Sequence, residues 1–461
     1  MGENKMGTMP VGRLIITMSW PAVLSMLIQA MYNVVDSFFV SRIGESALAA
    51  ITYIFPVQMI IISVAVGTGI GINSLISRRL GAKNYREADM AASHGYRLAF
   101  VNWAVFCLAG IFASGPLMRV MSSTPYVVEE GTKYLSIILI GSLFIFVQII
   151  TEKILQATGN MILPMVCSLI GAVTNIVLDP FIIFGIGPFP ELGVMGAAVA
   201  TVTGQFLSMC LSQFFLFGRK HPIKVSLKGW KWQWSICSDI YAVGFPSILM
   251  QSIGSVMQFG MNMILRSFTE TAVAVMGVYG RLQSFVFMPV FGLNQGVLPI
   301  LGFNYGARDR KRLMDAYRKG FAIAFGIMSL GLLVFQLFPH QLMTVFNSQG
   351  NETLYEIGVP ALRAISWCFL PASYGIMTSS VFQATGHGFL SLWSALIRQL
   401  VGVLPIAFFM GRAFGLEMVW YAFPLAEIIG TAYLITAFIR LYKRDIRYLD
   451  KNEEYNQQKN I

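Results

Sequence analysis

The chain carries two copies of one pattern. Gln156-Ala157-Thr158-Gly159 returns as Gln383-Ala384-Thr385-Gly386, and Gly81-Ala82-Lys83-Asn84 is echoed by Gly306-Ala307-Arg308-Asp309. Helix-associated prolines keep the same offset, Pro21 with Pro246 and Pro180 with Pro405, so whole halves are duplicated. Repeats of this length mean one structural unit used twice, and in membrane proteins such repeats commonly place a substrate path between them.

The medium follows from composition. Of 461 residues, 56% are hydrophobic and only 12% are charged, against about a quarter charged in soluble domains. Apolar runs such as 135–150, 321–338 and 401–410 recur throughout, and a spanning helix needs about 20 mostly apolar residues. Twelve such segments can be drawn, six per half. The expected fold is therefore all-α and integral to the membrane, with twelve transmembrane helices in two six-helix lobes. Six spans return the chain to the side it left, so the lobes should be related by a pseudo-two-fold axis along the membrane normal. The expected divisions are 1–217 for the first lobe, 218–235 for an inter-lobe linker, 236–441 for the second lobe and 442–461 for a tail.

The net charge of +11 sits in alternate loops, the pattern of a cytoplasmic bias and not of a nucleic-acid surface. Arg78, Arg79, Lys83 and Arg86 form one group, and Arg219, Lys220, Lys224, Lys228 and Lys231 another. Arg308, Arg310, Lys311 and Arg312 follow, and the tail adds Arg440, Lys443, Arg444 and Arg447. Both termini are expected in the cytoplasm and the protein in the inner (plasma) membrane. The first 13 residues are polar and run directly into a span, so no cleavable signal peptide is expected. Trp230, Trp232 and Trp234 alternate with lysines in the linker, a composition suited to the headgroup level. The five cysteines match no metal spacing and read as small buried side chains. Asn351-Glu352-Thr353 forms a glycosylation sequon, read as incidental.

The order and spacing of several motifs carry a family resemblance. They are Pro21 with Asp36 in the first span, Arg78-Arg79-Leu80-Gly81-Ala82, Gln156-Ala157-Thr158-Gly159, Asn175-Ile176-Val177-Leu178-Asp179-Pro180 and Gly193-Val194-Met195-Gly196-Ala197-Ala198. Arg281-Leu282-Gln283-Ser284-Phe285 and Gly296-Val297-Leu298-Pro299 extend the match into the second half. Over nearly its whole length the chain resembles the multidrug and toxic compound extrusion (MATE) family, and within it the bacterial DinF-like branch. The resemblance implies a non-enzymatic secondary antiporter exporting amphipathic, often cationic small molecules in exchange for protons or sodium ions by alternating access. It implies no cofactor beyond that coupling ion, and partners limited to small organic cations and the bilayer, with a monomer expected. Another branch places carboxylates in spans seven and ten; here span seven offers Gln258 and Asn262 and span ten no acid, so a second-lobe ion site is not expected. Asn294 and Gln295 stand where some relatives carry an acid.

Buried charge then selects candidates. A charged side chain at the bilayer centre costs roughly 2.5 to 3.5 kcal/mol on insertion scales, and four acids stand out: Asp36, Glu152, Asp179 and Glu427. Asn175 lies one turn before Asp179 on the same helical face. Pro180 cannot donate to the carbonyl of Ile176, which leaves an acceptor beside an amide and a carboxylate. The pattern fits a cation or proton site, and equally a kinked helix whose polar groups bond a neighbour. The resemblance pairs Asp36 with Asp179 and gathers Tyr32, Asn175, Tyr134 and Thr201 around them as the coupling cluster. Two carboxylates held close together cannot both stay ionised cheaply, so a protonatable switch is expected.

Glu152, followed by Lys153, is expected in a structural ion pair, as is Glu427 with Arg398 or Arg281. Met250, Met257, Met261, Gln258, Phe285, Phe287 and Met288 are the expected cavity wall, because polarizable and aromatic surfaces accommodate varied cations. No Walker-type phosphate loop or metal-ligand cluster supports an enzyme or a nucleotide-driven pump. The alternative reading is a lipid-linked oligosaccharide flippase of the same superfold, for which a cation-lined cavity would be expected.

Overall fold

The structure is a computed structural model that describes residues 4–218, 221–226, 232–347 and 351–450. Among these residues every regular element is helical. The first half comprises α1 (Val11–Ser41), α2 (Glu45–Gly81), α3 (Tyr85–Phe112), α4 (Pro125–Ala157), α5 (Ile162–Phe184) and α6 (Gly193–Phe217). The second comprises α7 (Trp234–Arg266), α8 (Glu270–Gly306), α9 (Arg310–Leu337), α10a (Glu352–Ser366) with α10b (Phe369–Ala384), α11 (Gly388–Phe414) and α12 (Ala422–Arg444). Among the described residues, eleven helices are long and apolar enough to cross a membrane on their own. The twelfth span is α10, which is interrupted at Trp367 and Cys368 and so falls into two shorter pieces.

The duplication persists in backbone detail. Lys83 and Arg308 both adopt left-handed φ, 56° and 58°, a conformation that costs an L-residue roughly 1–2 kcal/mol. Each closes the same turn: Asn84 N–H donates to the Arg79 carbonyl at 2.9 Å, and Asp309 N–H to the Asn304 carbonyl at 3.0 Å. Asn84 and Asp309 then cap the following helices, accepting from Glu87 N–H at 3.2 Å and Arg312 N–H at 2.8 Å. Gly159 and Gly386 repeat a second turn with φ of 91° and 92°.

The chain forms two compact units, Leu24–Ile248 with Met1–Asn4, and Lys5–Val23 with Leu249–Ile461. These boundaries fall inside α1 and α7, not in the 218–235 connection. Small residues make this arrangement feasible, because glycine lets helix backbones approach closely. In unit 1 a side chain on Gly71 would run into the Ile240 carbonyl, and one on Gly67 into Ile248. In unit 2 the corresponding Gly292 and Gly296 of α8 lie against Val23 and Ser19. Each unit thus holds the first half of a helix whose second half belongs to the other.

In unit 1 the connection after α6 docks on α3. Lys224 N–H donates to Asp89 Oδ1 at 2.7 Å, Ser226 N–H to Ser93 Oγ at 3.0 Å and Gln233 N–H to His94 Nε2 at 3.1 Å. The Trp232 ring stacks obliquely on His94 and edge-on to Trp234. Trp230, Arg219, Lys220, Lys228 and Lys231 lie outside the described residues, as does the chain beyond 450. In unit 2 the tail segment is held similarly, by Arg310 with Asp450 at 2.9 Å and His387 with Asp445 at 3.4 Å.

Candidate ion-coupling site

Helices α5 and α6 pack closely enough to place polar groups edge to edge. A side chain on Gly204 would lie 2.6 Å from the Gly171 carbonyl and 3.4 Å from Asn175 Cβ, so the two helices meet backbone to backbone. Ser208 Oγ crosses the same seam to the Cys167 carbonyl at 2.8 Å. The consequence is that Asn175, Asp179 and Thr201 are all buried, at 2%, 0% and 7% exposure.

Asn175 links the other two. In the orientation that satisfies every group, its amide nitrogen donates to Asp179 Oδ2 at 3.3 Å. Its oxygen accepts from the Thr201 N–H at 3.2 Å and from the Thr201 hydroxyl at 3.3 Å. Pro180 is incorporated within α5, so the carbonyl of Ile176 lacks its helical donor, as its sequence requires.

The C-terminal half of α1 brings Asp36 to the same place. Asp36 and Asp179 are within side-chain hydrogen-bonding reach of one another. Tyr32 and Tyr134 both lie within the electrostatic influence of the two acids. Tyr134 is buried on α4, and Gln58 of α2 donates to its hydroxyl at 3.1 Å. Asp36 Oδ1 is buried and has no hydrogen-bond partner. Among the described residues no cationic side chain pairs with Asp36 or Asp179. All six residues named from the sequence therefore gather in unit 1. Gln58 is an addition: an amide in an otherwise apolar stretch was its only signal.

The other candidates fall elsewhere. Glu152 Oε1 accepts from Gln148 at 3.0 Å and from Ser168 at 3.2 Å, while the Lys153 ammonium reaches Gln156 Oε1 at 2.9 Å. These adjacent residues point to different helical faces and hold different partners. Glu427 pairs with Arg398, Oε1 to Nε 3.3 Å, whereas Arg281 is exposed. In unit 2, Met261 is fully buried and Met250 packs on the cluster of Ile253, Leu392 and Ala395. Phe287 stacks edge-on to Phe369 at 5.4 Å. Met261 is thus committed to core packing, whereas Met250 and Phe287 are half-buried against core neighbours. Gln258 donates to Asn262 at 3.3 Å, Met257 and Met288 are half-buried, and Phe285 is 69% exposed. Asn294 is bonded to Ser380.

The MatE family model matches this sequence twice, over residues 21–181 and 246–409. The chain belongs to the MatE family. The two matches begin at Pro21 and Pro246, the same pair that marks the internal repeat. Across 431 residues the MatE chain is 26% identical to a FAD transporter of Shewanella oneidensis, covering 91% of this chain and 92% of that protein. It is 25% identical over 436 residues to the multidrug export protein MepA of Staphylococcus saprophyticus, covering 94% of each. Its structure resembles an outward-facing multidrug resistance MATE family transporter of the MOP superfamily with a TM-score of 0.89 at 28% identity, covering 98% and 99% of the two chains. A MOP superfamily transporter from Pyrococcus furiosus aligns with a TM-score of 0.88 at 29% identity, covering 97% and 99%. The MatE chain is accordingly an all-α, multi-span membrane transporter with twelve spans in two lobes, and not an enzyme.

Proposed function

We propose that this MatE protein is a secondary antiporter that exports amphipathic, often cationic small molecules in exchange for protons or sodium ions by alternating access. Asp36 and Asp179 form its coupling pair, with Asn175, Thr201, Tyr32 and Tyr134 shaping the site. The observation that carries this reading is the meeting of two carboxylates in a buried seam that contains no cationic side chain among the described residues. Such a pair is stable when a proton or small cation neutralises it and costly when both acids are ionised. Gain and loss of that cation is therefore a two-state event. Asn175 and Thr201 hold Asp179 in place while the cation comes and goes. The names of the multidrug export relatives support the substrate class.

Energetics limit what one exchanged cation achieves. A proton moving down one pH unit releases about 1.4 kcal/mol, and a charge crossing 100 mV about 2.3 kcal/mol. Exchange of one proton for one monovalent cation cancels the voltage contribution and leaves about tenfold accumulation per pH unit. Two carboxylates offer room for a second proton and steeper export. The protein works as a monomer in the plasma membrane with both termini cytoplasmic, needing no cofactor.

The test is ethidium efflux from proteoliposomes under separately imposed proton and sodium gradients, for the native protein, Asp36→Asn and Asp179→Asn. Gradient-driven efflux in the native protein that is lost in both variants is expected. Efflux that persists unchanged when both acids are replaced overturns the assignment.

A further inference from the structure

In each unit a polar residue of the fifth helix lies over a glycine of the sixth. In unit 1 the polar residue of α5 that lies over Gly204 is Asn175, and it bonds Thr201, three residues before that glycine. In unit 2 the residue of α11 that lies over Gly430 of α12 is Arg398, and it bonds Glu427, again three residues before the glycine. An added side chain at Gly204 would lie 3.4 Å from Asn175 Cβ, and at Gly430 3.1 Å from Arg398 Cβ. Thr201 and Glu427 each lie on the sixth helix of their half, three residues before the glycine that the fifth helix packs on.

Among the described residues, the cation paired with Glu427 is Arg398. Arg398 donates to Glu427 from Nη1 at 3.4 Å, while its Nε lies 3.3 Å from the carboxylate without making a hydrogen bond. Tyr279 of α8 and Cys368 at the break in α10 lie within the electrostatic influence of Glu427 and 4.0 Å apart, hydroxyl to sulfur. Gly375 of α10b leaves room for the guanidinium, since a side chain there would come 3.0 Å from Nη1. Arg398 stands in a π-helical stretch, Leu396–Val403, an irregularity that recurs at functional sites. Buried oxygens of Gln399 and Thr431, neighbours of Arg398 and Glu427 along their helices, have no hydrogen-bond partner.

We propose that Arg398 is a tethered cation that neutralises Glu427 in unit 2, as an exchangeable cation neutralises the carboxylate pair in unit 1. Glu427 is then closed to coupling in the native protein, and each molecule has one working cation site. Removing Arg398 opens the second seam as a site for a proton or sodium ion, with Glu427 as its carboxylate. This rests on Asp36 and Asp179 being the coupling pair; that reading fails separately, when native protein and Asp36→Asn/Asp179→Asn transport alike.

The experiment is done in the full-length Asp36→Asn/Asp179→Asn protein, where unit 1 is silent. Arg398→Gln, Arg398→Lys and Arg398→Gln/Glu427→Gln are added to it, and melting temperature and radioactive sodium binding are measured across sodium concentration and pH. Arg398→Gln alone is expected to gain a melting temperature that rises by a few degrees with sodium or with acidification. Arg398→Lys keeps a cation in place and gains nothing, and the double replacement loses the gain. The proposal is overturned if Arg398→Gln is insensitive to both ions, or if its sensitivity survives Glu427→Gln. It is also overturned if Arg398→Gln stays unfolded at every pH and sodium level while the double replacement folds, because the seam then admits no cation.

Discussion

The amide of Asn175 spans from Asp179 on its own helix to Thr201 on the next, 3.3 Å from each. It ties the buried carboxylate of α5 to α6. Replacing it with alanine leaves Asp179 in place but without that donor, at a cost of about 1–3 kcal/mol for a buried polar group deprived of its partner. Asn175→Ala is expected to lower the melting temperature and to weaken gradient-driven efflux without abolishing it. Abolition equal to that of Asp179→Asn would mean that Asn175 is itself a cation ligand.

The seam depends on the absence of a side chain at Gly204, where a Cβ would come 2.6 Å from the Gly171 carbonyl. Gly204→Val must separate α5 from α6, with an overpacking cost of about 1–3 kcal/mol. Efflux should fall together with thermal stability. Retained efflux at normal stability would show that the close approach is unnecessary to the site.

Lys83 holds a left-handed backbone at φ 56°. A β-branched residue tolerates this poorly, so Lys83→Val is expected to destabilise by about 1–2 kcal/mol. Lys83→Gly, which accepts the conformation, should not. Arg308 makes the same prediction in the other half, and denaturation of the purified variants distinguishes conformational strain from loss of charge, since both substitutions remove the lysine.

His221 ties the connection after α6 to the Gln156-Ala157-Thr158-Gly159 turn, with its Nε2 3.4 Å from the Thr158 hydroxyl. Partial burial pushes the imidazole below its ordinary value of 6.5. Its folded value is depressed, so its docked state is fully favoured above about pH 6.5 and loses stability as pH falls through that lower value. Hydrogen exchange at 221–226 should therefore quicken on mild acidification. His221→Asn should remove that pH dependence, and an unchanged profile in the variant would assign it to another group.

Several features were legible from residues alone. Segment hydropathy set the number of spans, because a bilayer admits only helices and closed barrels, and continuous apolar runs of about 20 residues suit helices. The repeat was visible because turns need particular residues: Lys83 and Arg308 occupy one strained position, and Asn84 and Asp309 one helix cap. Asp179, Asn175 and Pro180 also declared themselves, since an acid and a helix-breaking imino acid are expensive inside a membrane.

What only tertiary structure decided was partnership. Spacing along α5 could not say that Asn175 turns to Thr201, nor that Gln58 reaches Tyr134, because such contacts depend on how closely neighbouring helices approach. The glycines at 67, 71, 292 and 296 were equally readable as ordinary membrane glycines, and only packing shows which half-helix each pair receives. Met250, Met261 and Phe287 carried the same hydrophobic signal whether they lined a cavity or filled a core. Sequence by itself determined which groups are too costly to bury without purpose; the fold decided which of them meet, because hydrogen bonds and ion pairs act over a few ångströms while sequence spacing constrains only neighbours on one helix.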